Sequence, residues 1–386
     1  MPTVPPNETM SLIVKGTAYS GWKEIRVSRG IDRMATDFDI ALSVTWGAAN
    51  LPWKISKFDP CAIKIGNDLI LTGYVDDVEP EFDAHHDGLR IKGRSQTEDI
   101  IDCTPDLPSG QFSGYTLDQI ARAIAAPFYA PGFAAVVVQA PMGDPFPDAT
   151  IERHETGFEF LERSARLRSV LLCDDPQGRL VLTQAGATRA TDALVEGGNI
   201  FKAKAILNGA KQFNVYKVKT QTGESQGGDG WGGLGGEGSP TNPVQTQVVT
   251  TTAGVAYDTS VPRYRPHTII GESALSAADA QKRADWQARF NAARATKAII
   301  TVKGWRQSDG TLWTCNTITP LRSPRLGVDR ELLIARVTYR LDDKDGRLTE
   351  MIVGPVEGFT PDPGQVHVKK NKAKGGGVPA WNGFGG

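Results

Sequence analysis

The chain has 386 residues and a formal net charge of −1, from 43 basic and 44 acidic side chains. This length suits two to four folded units, and the near-neutral balance provides no overall field that would draw the chain to nucleic acid or to an anionic membrane. The 42 glycines and 24 prolines imply many turns, which favours a strand-rich protein over a helical bundle.

The first part of the chain alternates apolar and polar residues. Residues 37–45 follow period two and predict a strand whose apolar face holds Phe38, Ile40, Leu42 and Val44. Shorter runs around Ile25 and Ile63 repeat the alternation, and residues 69–78 return as a strand after a tight turn. Several short strands separated by tight turns predict a small barrel or sandwich.

Three helix starts are marked by a hydroxyl residue followed three positions later by Glu or Gln, which is the capping-box spacing. The pairs are Ser95 with Glu98, Thr116 with Gln119, and Thr156 with Glu159. The first predicts a short helix that ends near Cys103. The other two, with a strand at 134–139 and a hairpin over 170–183, predict a compact α/β unit inserted after the first β-region.

Strand character resumes at 200–219, and a glycine-rich tract at 223–238 then predicts a long mobile loop. Ser276 and Asp279 begin a long helix that is expected to reach about Lys297. Its predicted apolar stripe consists of Trp286, Phe290 and Ala293.

A second β-region follows that helix. Residues 333–341 alternate as a strand, and the chain turns at 342–346 and returns through 348–353. Residues 361–386 show no periodicity and are expected to be extended.

Four cysteines are far apart in the sequence and form no CxxC pair: Cys61, Cys103, Cys173 and Cys315. This spacing favours buried, reduced thiols of a protein folded in the cytoplasm over a disulfide framework or a zinc site. The N-terminus MPTVPPNETM lacks the basic and apolar regions of a signal peptide, and no apolar run approaches the roughly 18 residues that span a bilayer.

No catalytic, cofactor-binding or metal-ligating residue is predicted. The adjacent pair His85-His86 would point to opposite faces of a strand, so it favours a solvated turn over a chelate. The glycine tract is not followed by a helix start that could hold phosphate. Asp342–Gly346 fits a hairpin turn better than a calcium loop, and neither GxSxG nor HExxH occurs.

Three motifs occur in a characteristic order: Gly21-Trp22, Leu71-Thr72-Gly73-Tyr74-Val75, and the string from Gly93 to Cys103. In this order they resemble the baseplate hub proteins of Mu-like contractile-tailed phages, which are similar to the central hubs of other contractile tails and to type VI secretion spikes. The resemblance implies a β-rich α+β multidomain fold. It further implies two related small β-barrel domains, an inserted α/β domain and a ring-shaped homotrimer.

The expected division of the chain places a first, tube-facing barrel before the inserted domain and a second barrel after it. The boundaries are 1–10 for an N-terminal extension, 11–104 for the first barrel, 105–190 for the inserted α/β domain, 191–222 with 298–356 for the second barrel, 223–297 for the glycine-rich loop and long helix, and 357–386 for an extended C-terminal arm.

The resemblance implies a structural hub, not an enzyme, that joins the hexameric tail tube to the trimeric cell-puncturing spike. Its expected partners are its own copies, the tail tube protein, the central spike protein and other baseplate proteins. DNA would pass through the channel without sequence-specific binding. The expected location is the virion tail baseplate, after synthesis in the host cytoplasm.

In the C-terminal arm, the aromatic and aliphatic anchors Val378, Trp381 and Phe384 are expected to bind the spike. Two other function classes stay open. One is a tail-tip peptidoglycan hydrolase. The other is a carbohydrate-binding adhesin that would use the scattered tryptophans Trp46, Trp53, Trp231, Trp305 and Trp313.

Overall fold

A computed structural model describes residues 8–45, 54–82, 86–186, 188–222, 249–270 and 276–360. Within them the α-helices are α1 (Glu98–Asp102), α2 (Leu117–Ala125), α3 (Gly157–Arg166) and α4 (Ala277–Arg294). The strands are β1 (Met10–Val14), β2 (Thr17–Tyr19), β3 (Glu24–Gly30), β4 (Asp37–Thr45), β5 (Pro60–Ile65), β6 (Asp68–Phe82), β7 (His86–Ser95), β8 (Gln111–Phe112), β9 (Val136–Val138), β10 (Ala149–Thr150), β11 (Leu171–Asp174), β12 (Leu180–Thr183), β13 (Thr188–Arg189), β14 (Leu194–Val195), β15 (Ile200–Leu207), β16 (Val215–Thr222), β17 (Val249–Tyr257), β18 (Pro266–Ile270), β19 (Thr296–Lys303), β20 (Thr317–Ser323), β21 (Val328–Asp342) and β22 (Gly346–Gly354).

One large sheet contains strands from both ends of the chain. Its strand order begins β15-β19-β22-β21-β3-β4-β7-β6, and every neighbouring pair in this series is antiparallel. We call this series the eight-strand run. The sheet continues from the first part of β6 into β5, β1 and β2, and β20 joins it on the first part of β21.

The two predicted β-regions are joined directly, because β3 pairs with β21. Ser28 lies opposite Thr338, and their hydroxyl oxygens are 3.2 Å apart. The resemblance implied two small β-barrel domains, whereas the described strands form one continuous sheet and no described pairing closes either half into a barrel. The physical reason is that β3 and β21 form backbone hydrogen bonds with each other. Without this pairing, each strand would have an open edge.

The predicted period-two alternation of β4 is confirmed, since Phe38 and Ile40 are buried in the main core. Gly73 of β6 and Gly93 of β7, which belong to the motifs that carry the resemblance, allow neighbouring strands to approach each other closely here. A Cβ atom on Gly93 would lie 2.1 Å from the carbonyl oxygen of Tyr74 and 2.7 Å from the ring of Phe38, and one on Gly73 would lie 1.9 Å from the carbonyl oxygen of Arg94. No larger side chain fits at either position without displacing backbone.

The inserted unit packs α2 and α3 with the small sheet of β9, β11 and β12. Two predicted capping boxes are present at its helices. The Thr116 N–H donates to Gln119 Oε1 at 3.0 Å, and the Thr156 N–H donates to Glu159 Oε2 at 2.9 Å.

The predicted capping box of Ser95 with Glu98 is wrong. α1 starts one residue after Thr97, whose side chain forms no capping bond. β7 continues through Ser95, and Ser95 Oγ is instead hydrogen-bonded to Thr97 Oγ1 at 2.9 Å. The strand therefore uses the residue that the spacing assigned to the helix start.

A third unit packs α4 on a sheet of β16, β17 and β18. The stripe that faces this sheet consists of Ala280, Ala284 and Ala288, not the predicted aromatic stripe. Trp286 and Phe290 stack on each other elsewhere on the helix, with centroids 4.6 Å apart. Small alanines allow the helix to approach closely: a Cβ on Gly254 of β17 would lie 2.3 Å from the Ala280 carbonyl oxygen.

Two predicted segments divide differently in the structure. Of residues 191–222, β14 and β15 join the large sheet, whereas β16 lies in the sheet under α4. Part of residues 223–297 forms β17 and β18, and α4 ends at Arg294 because β19 starts at Thr296.

The cysteines are free thiols, of which Cys61 and Cys173 are buried. The expectation of burial is wrong for Cys103, which is exposed just after α1. Among the described helices, none combines the length and the apolar character needed to cross a bilayer.

Candidate functional site

The eight-strand run has one apolar and one polar face, which follow from its register because directly paired residues lie on the same face. The apolar face is buried in the main core and includes Val27, Phe38, Ile40, Ile91, Val337, Met351 and Ile300. The polar face holds, from β15 to β6, Lys202, Lys204, Thr301, Glu350, Thr338, Arg340, Ser28, Arg26, Asp37, Asp39, Arg94, Lys92, Arg90, Asp77, Glu79 and Glu81.

Opposite charges on the polar face are paired across neighbouring strands. Arg26 Nη1 lies 2.6 Å from Asp37 Oδ2, and Lys92 Nζ lies 2.6 Å from Glu79 Oε1. Arg90 binds Asp39 through two hydrogen bonds of 2.7 Å, which raise the pKa of its guanidinium. These exposed pairs each contribute little stability, but together they leave a hydrophilic surface without a large excess of either charge.

A more buried cluster lies beside this face, where β7 passes into α1. Arg94 Nε is 2.9 Å from Asp76 and 3.0 Å from Glu98, and Arg94 Nη2 is 2.7 Å from Asp102. The Glu98 side chain is only 6% exposed. Burial, and then the charge of Asp76, raise the pKa of Glu98 to about 9. Ile100 of α1 packs in the core of the inserted unit, so the string from Gly93 to Cys103 connects the sheet to that unit.

The inserted unit is held to the sheet by the buried side chain of Asp174. Its two carboxylate oxygens accept hydrogen bonds from the Thr36 N–H at 2.9 Å and the Thr36 hydroxyl at 2.8 Å. Arg29 Nη2 donates to the Asp174 carbonyl oxygen at 3.0 Å. Both Arg29 and Thr36 belong to the β3–β4 region, so this contact fixes the inserted unit against the eight-strand run.

The comparisons with known proteins cover nearly the whole chain. Residues 9–95 match the family described as Mu phage baseplate assembly protein GpP-like, N-terminal. Residues 97–184 match the second domain of baseplate hub protein gp44-like proteins, and residues 276–362 match the fourth domain of Mu phage baseplate assembly protein GpP. The chain is 31% identical to the baseplate hub protein gp44 of Escherichia phage Mu, over 92% of this chain and 89% of that protein.

The chain belongs to the family of Mu-type baseplate hub proteins. The resemblance predicted from the Gly21-to-Cys103 motifs is therefore confirmed, and the chain is a hub component of a phage tail baseplate.

Two solved structures share the fold of this hub protein. The 43 kDa tail protein of prophage MuSo2 from Shewanella oneidensis has a TM-score of 0.78 and 31% identity, over 92% of this chain and 100% of that one. The tail protein from Neisseria meningitidis MC58 has a TM-score of 0.72 and 20% identity, over 92% of this chain and 99% of that one.

The predicted spike-binding residues Val378, Trp381 and Phe384 lie outside the described residues, as do the glycine tract 223–238 and His85. In the described part of the hub protein, no group of three or more His, Cys, Asp or Glu side chains could hold a metal ion. The predicted hairpin turn at 342–346 is present, with Asp342 Oδ1 accepting from the Lys344 N–H at 3.0 Å.

The tryptophans proposed for sugar binding divide into two groups. Trp305 and Trp313 are buried in the main core, and Trp305 Nε1 donates to the Arg340 carbonyl oxygen at 3.0 Å. Neither ring offers a surface on which a sugar could stack. Trp46, Trp53 and Trp231 lie outside the described residues.

Sequence reasoning missed the polar face. Its signal was visible as charged residues at every second position, in Asp37 and Asp39 and again in Arg90, Lys92 and Arg94. Alternation alone does not show that these strands are neighbours.

Proposed function

We propose that this hub protein is a structural, non-enzymatic component that assembles as a ring-shaped homotrimer between the tail tube and the spike. The observation that carries the proposal is the eight-strand run, in which both β-regions of the chain contribute to one continuous wall. Three such subunits would present six related units to a six-fold tube and a three-fold surface to a trimeric spike.

The polar face of the eight-strand run would line the channel of that ring. The opposite face is buried in the core, whereas Arg26 and Arg90 of the polar face are exposed to solvent. The polar residues in the middle of the face are buried: Ser28, Thr301 and Thr338. A channel wall with paired charges suits passage of DNA, because phosphates are bound mainly by unpaired Lys and Arg, and strong binding would retard ejection. Arg26, Arg90 and Lys92 already have carboxylate partners.

The first β-region would meet the tail tube, and the C-terminal arm would hold the spike through Val378, Trp381 and Phe384. Deleting residues 361–386 is expected to abolish co-purification of the central spike protein while leaving the assembly of the hub unchanged. Replacing Val378, Trp381 and Phe384 together by alanine is the finer test. Retention of the spike by both variants would refute the role of the arm.

The homotrimer is tested by the solution mass of the purified full-length chain, measured by light scattering. The subunit mass is 41.6 kDa. A stable species of three subunits is expected, and a monomer across the micromolar range would refute the ring. A muralytic assay with the same sample tests the structural role, because release of peptidoglycan fragments would instead support a hydrolase.

A further inference from the structure

A cavity of about 560 Å³ lies where three parts of the hub protein meet. Its walls come from α3 and β11 of the inserted unit, from the connection between β3 and β4, and from the second half of α4. The end of the 3₁₀ turn Val356–Phe359 and the following Thr360 complete the lining, and Thr360 is the last described residue on this side of the chain. Pockets that bury a drug-sized ligand have volumes in this range. The chain therefore leaves the described part of the structure at the wall of a cavity.

Trp286 and Phe290 of α4 lie side by side in this wall, and we call them the aromatic shelf. Their rings are stacked, with centroids 4.6 Å apart and an interplanar angle of 23°. The indole N–H of Trp286 is buried and has no hydrogen-bond acceptor among the described residues. A buried donor without an acceptor is unfavourable, so the aromatic shelf suits an occupant that supplies a carbonyl oxygen.

The cavity also has one unpaired positive charge. The guanidinium of Arg294 lies 5.2 Å from the centroid of the Phe290 ring, and no carboxylate among the described residues pairs with it. The other charged side chains of the lining have ion-pair partners: Asp32 with Arg336, Glu162 with Arg166, and Arg33 with Asp37. The aromatic shelf and Arg294 together therefore fit an apolar segment that contains one carboxylate.

The residues that follow Thr360 have this chemistry. Their sequence is Pro361-Asp362-Pro363-Gly364-Gln365, and Asp362 is the only acidic residue before Lys369. The backbone of Thr360 is extended, with φ −77° and ψ 119°, as is preferred before a proline. Extended proline-rich segments bind in aromatic-lined grooves, because their conformation is largely formed before binding. At about 3.1 Å per residue, these five residues reach about 16 Å from Thr360.

The point at which the chain leaves the cavity wall is fixed by packing. Phe359 packs on the buried cluster of Ile31, Leu333 and Ala335, and the Gly358 N–H donates to the Pro355 carbonyl oxygen at 3.1 Å. The segment after Thr360 is thus held beside the cavity by a very short tether. Such a tether gives an effective concentration in the millimolar range, which a segment from another molecule would not have.

We propose that residues 361–365 bind in this cavity of their own chain, with the two prolines on the aromatic shelf and Asp362 paired with Arg294. A backbone carbonyl of the segment accepts the hydrogen bond of the Trp286 indole. The inference does not depend on the proposed contact with the spike. It divides the C-terminal arm into a docked start, 361–365, and a remainder, 366–386, that is left to reach a partner.

Hydrogen exchange of the full-length chain, followed by mass spectrometry, tests the docking. A tethered segment at about 1 mM effective concentration with a Kd of about 0.1 mM is bound about ten times as often as it is free. After correction for intrinsic rates, the amides of Asp362, Gly364 and Gln365 should therefore exchange about ten-fold more slowly than those of residues 375–377.

Charge reversal tests the ion pair. Arg294→Asp and Asp362→Arg should each remove the protection, and the double variant R294D/D362R should restore it. Arg289→Asp is the matched control, because Arg289 is an exposed residue of α4 outside the cavity, and it should keep the protection.

Removal of the aromatic shelf tests the apolar contact. The double variant W286A/F290A should exchange residues 361–365 as fast as 375–377, with the circular dichroism of the wild type. Y257A/Y264A removes two rings that are 70% and 74% exposed on the same unit, and it should leave the protection unchanged.

Three results would overturn the proposal. Exchange of 361–365 at the rate of 375–377 in the wild type would show that the segment does not dock. Protection that persists in both R294D and W286A/F290A would place the segment elsewhere. Protection that increases with protein concentration would assign the cavity to a segment of another copy.

Discussion

Replacing Asp174 by alanine tests how the inserted unit is fixed to the sheet. The side chain is buried and accepts two hydrogen bonds from Thr36, at 2.9 and 2.8 Å. Hydrogen bonds to a charged acceptor contribute about 1.5–3 kcal/mol each. The Thr36 N–H would keep a weaker contact with Ser95 Oγ at 3.2 Å. Because this contact remains, we use the lower end of the range for each of the two bonds. We therefore expect a loss of about 3 kcal/mol in the free energy of unfolding.

The assay is urea unfolding of the full-length chain, combined with hydrogen exchange of the amides in β11 and β12. Asp174→Ala should speed exchange in this hairpin, and Asp174→Asn should have a smaller effect because its amide oxygen retains one acceptor. Asp144→Ala is the control, since this exposed carboxylate lies in the same unit. Its effect should stay within about 0.5 kcal/mol. A loss for Asp174→Ala no larger than that of the control would show that Asp174 does not fix the inserted unit to the sheet.

Two further predictions concern the string from Gly93 to Cys103. Gly93→Ala forces a Cβ against the Tyr74 carbonyl oxygen and the Phe38 ring, so the urea midpoint should fall by the equivalent of about 1–3 kcal/mol, and an unchanged midpoint would contradict the close approach. Glu98 is protonated in the folded state at pH values where it is ionised in the unfolded state, because its folded pKa is raised to about 9. The stabilisation that protonated Glu98 provides is therefore complete below its unfolded pKa of about 4.3. It is lost as pH rises toward the folded pKa, and the free energy of unfolding falls by up to about 1.4 kcal/mol per pH unit. Glu98→Gln should flatten this part of the stability–pH curve, and an identical slope in both proteins would show that Glu98 is ionised in the folded state.

Local signals predicted the elements whose contacts lie within a few residues. The capping boxes at Thr116 and Thr156 need only a partner three positions away, and both are present. The spacing of Ser95 and Glu98 was equally good, but β7 pairs Ser95 with Gly73 and keeps it in the strand. A tertiary contact therefore overrode the local preference.

Pairing between distant strands could not be predicted from periodicity. The contact of Ser28 with Thr338 joins the two halves of the chain into one sheet, and alternation in either strand does not indicate the other. The same limitation hid the polar face, whose charged residues come from strands far apart in the sequence. The stripe of Ala280, Ala284 and Ala288 on α4 was missed, because alanines give weak periodic signals although they make the close contact with β16 and β17.

Electron microscopy of the purified full-length chain tests the proposed ring most directly. We expect a three-fold ring with a through-going hole whose wall is the polar face, including Arg26, Asp39 and Lys92. A ring with the polar face on its outer surface, or an assembly without a central hole, would contradict it.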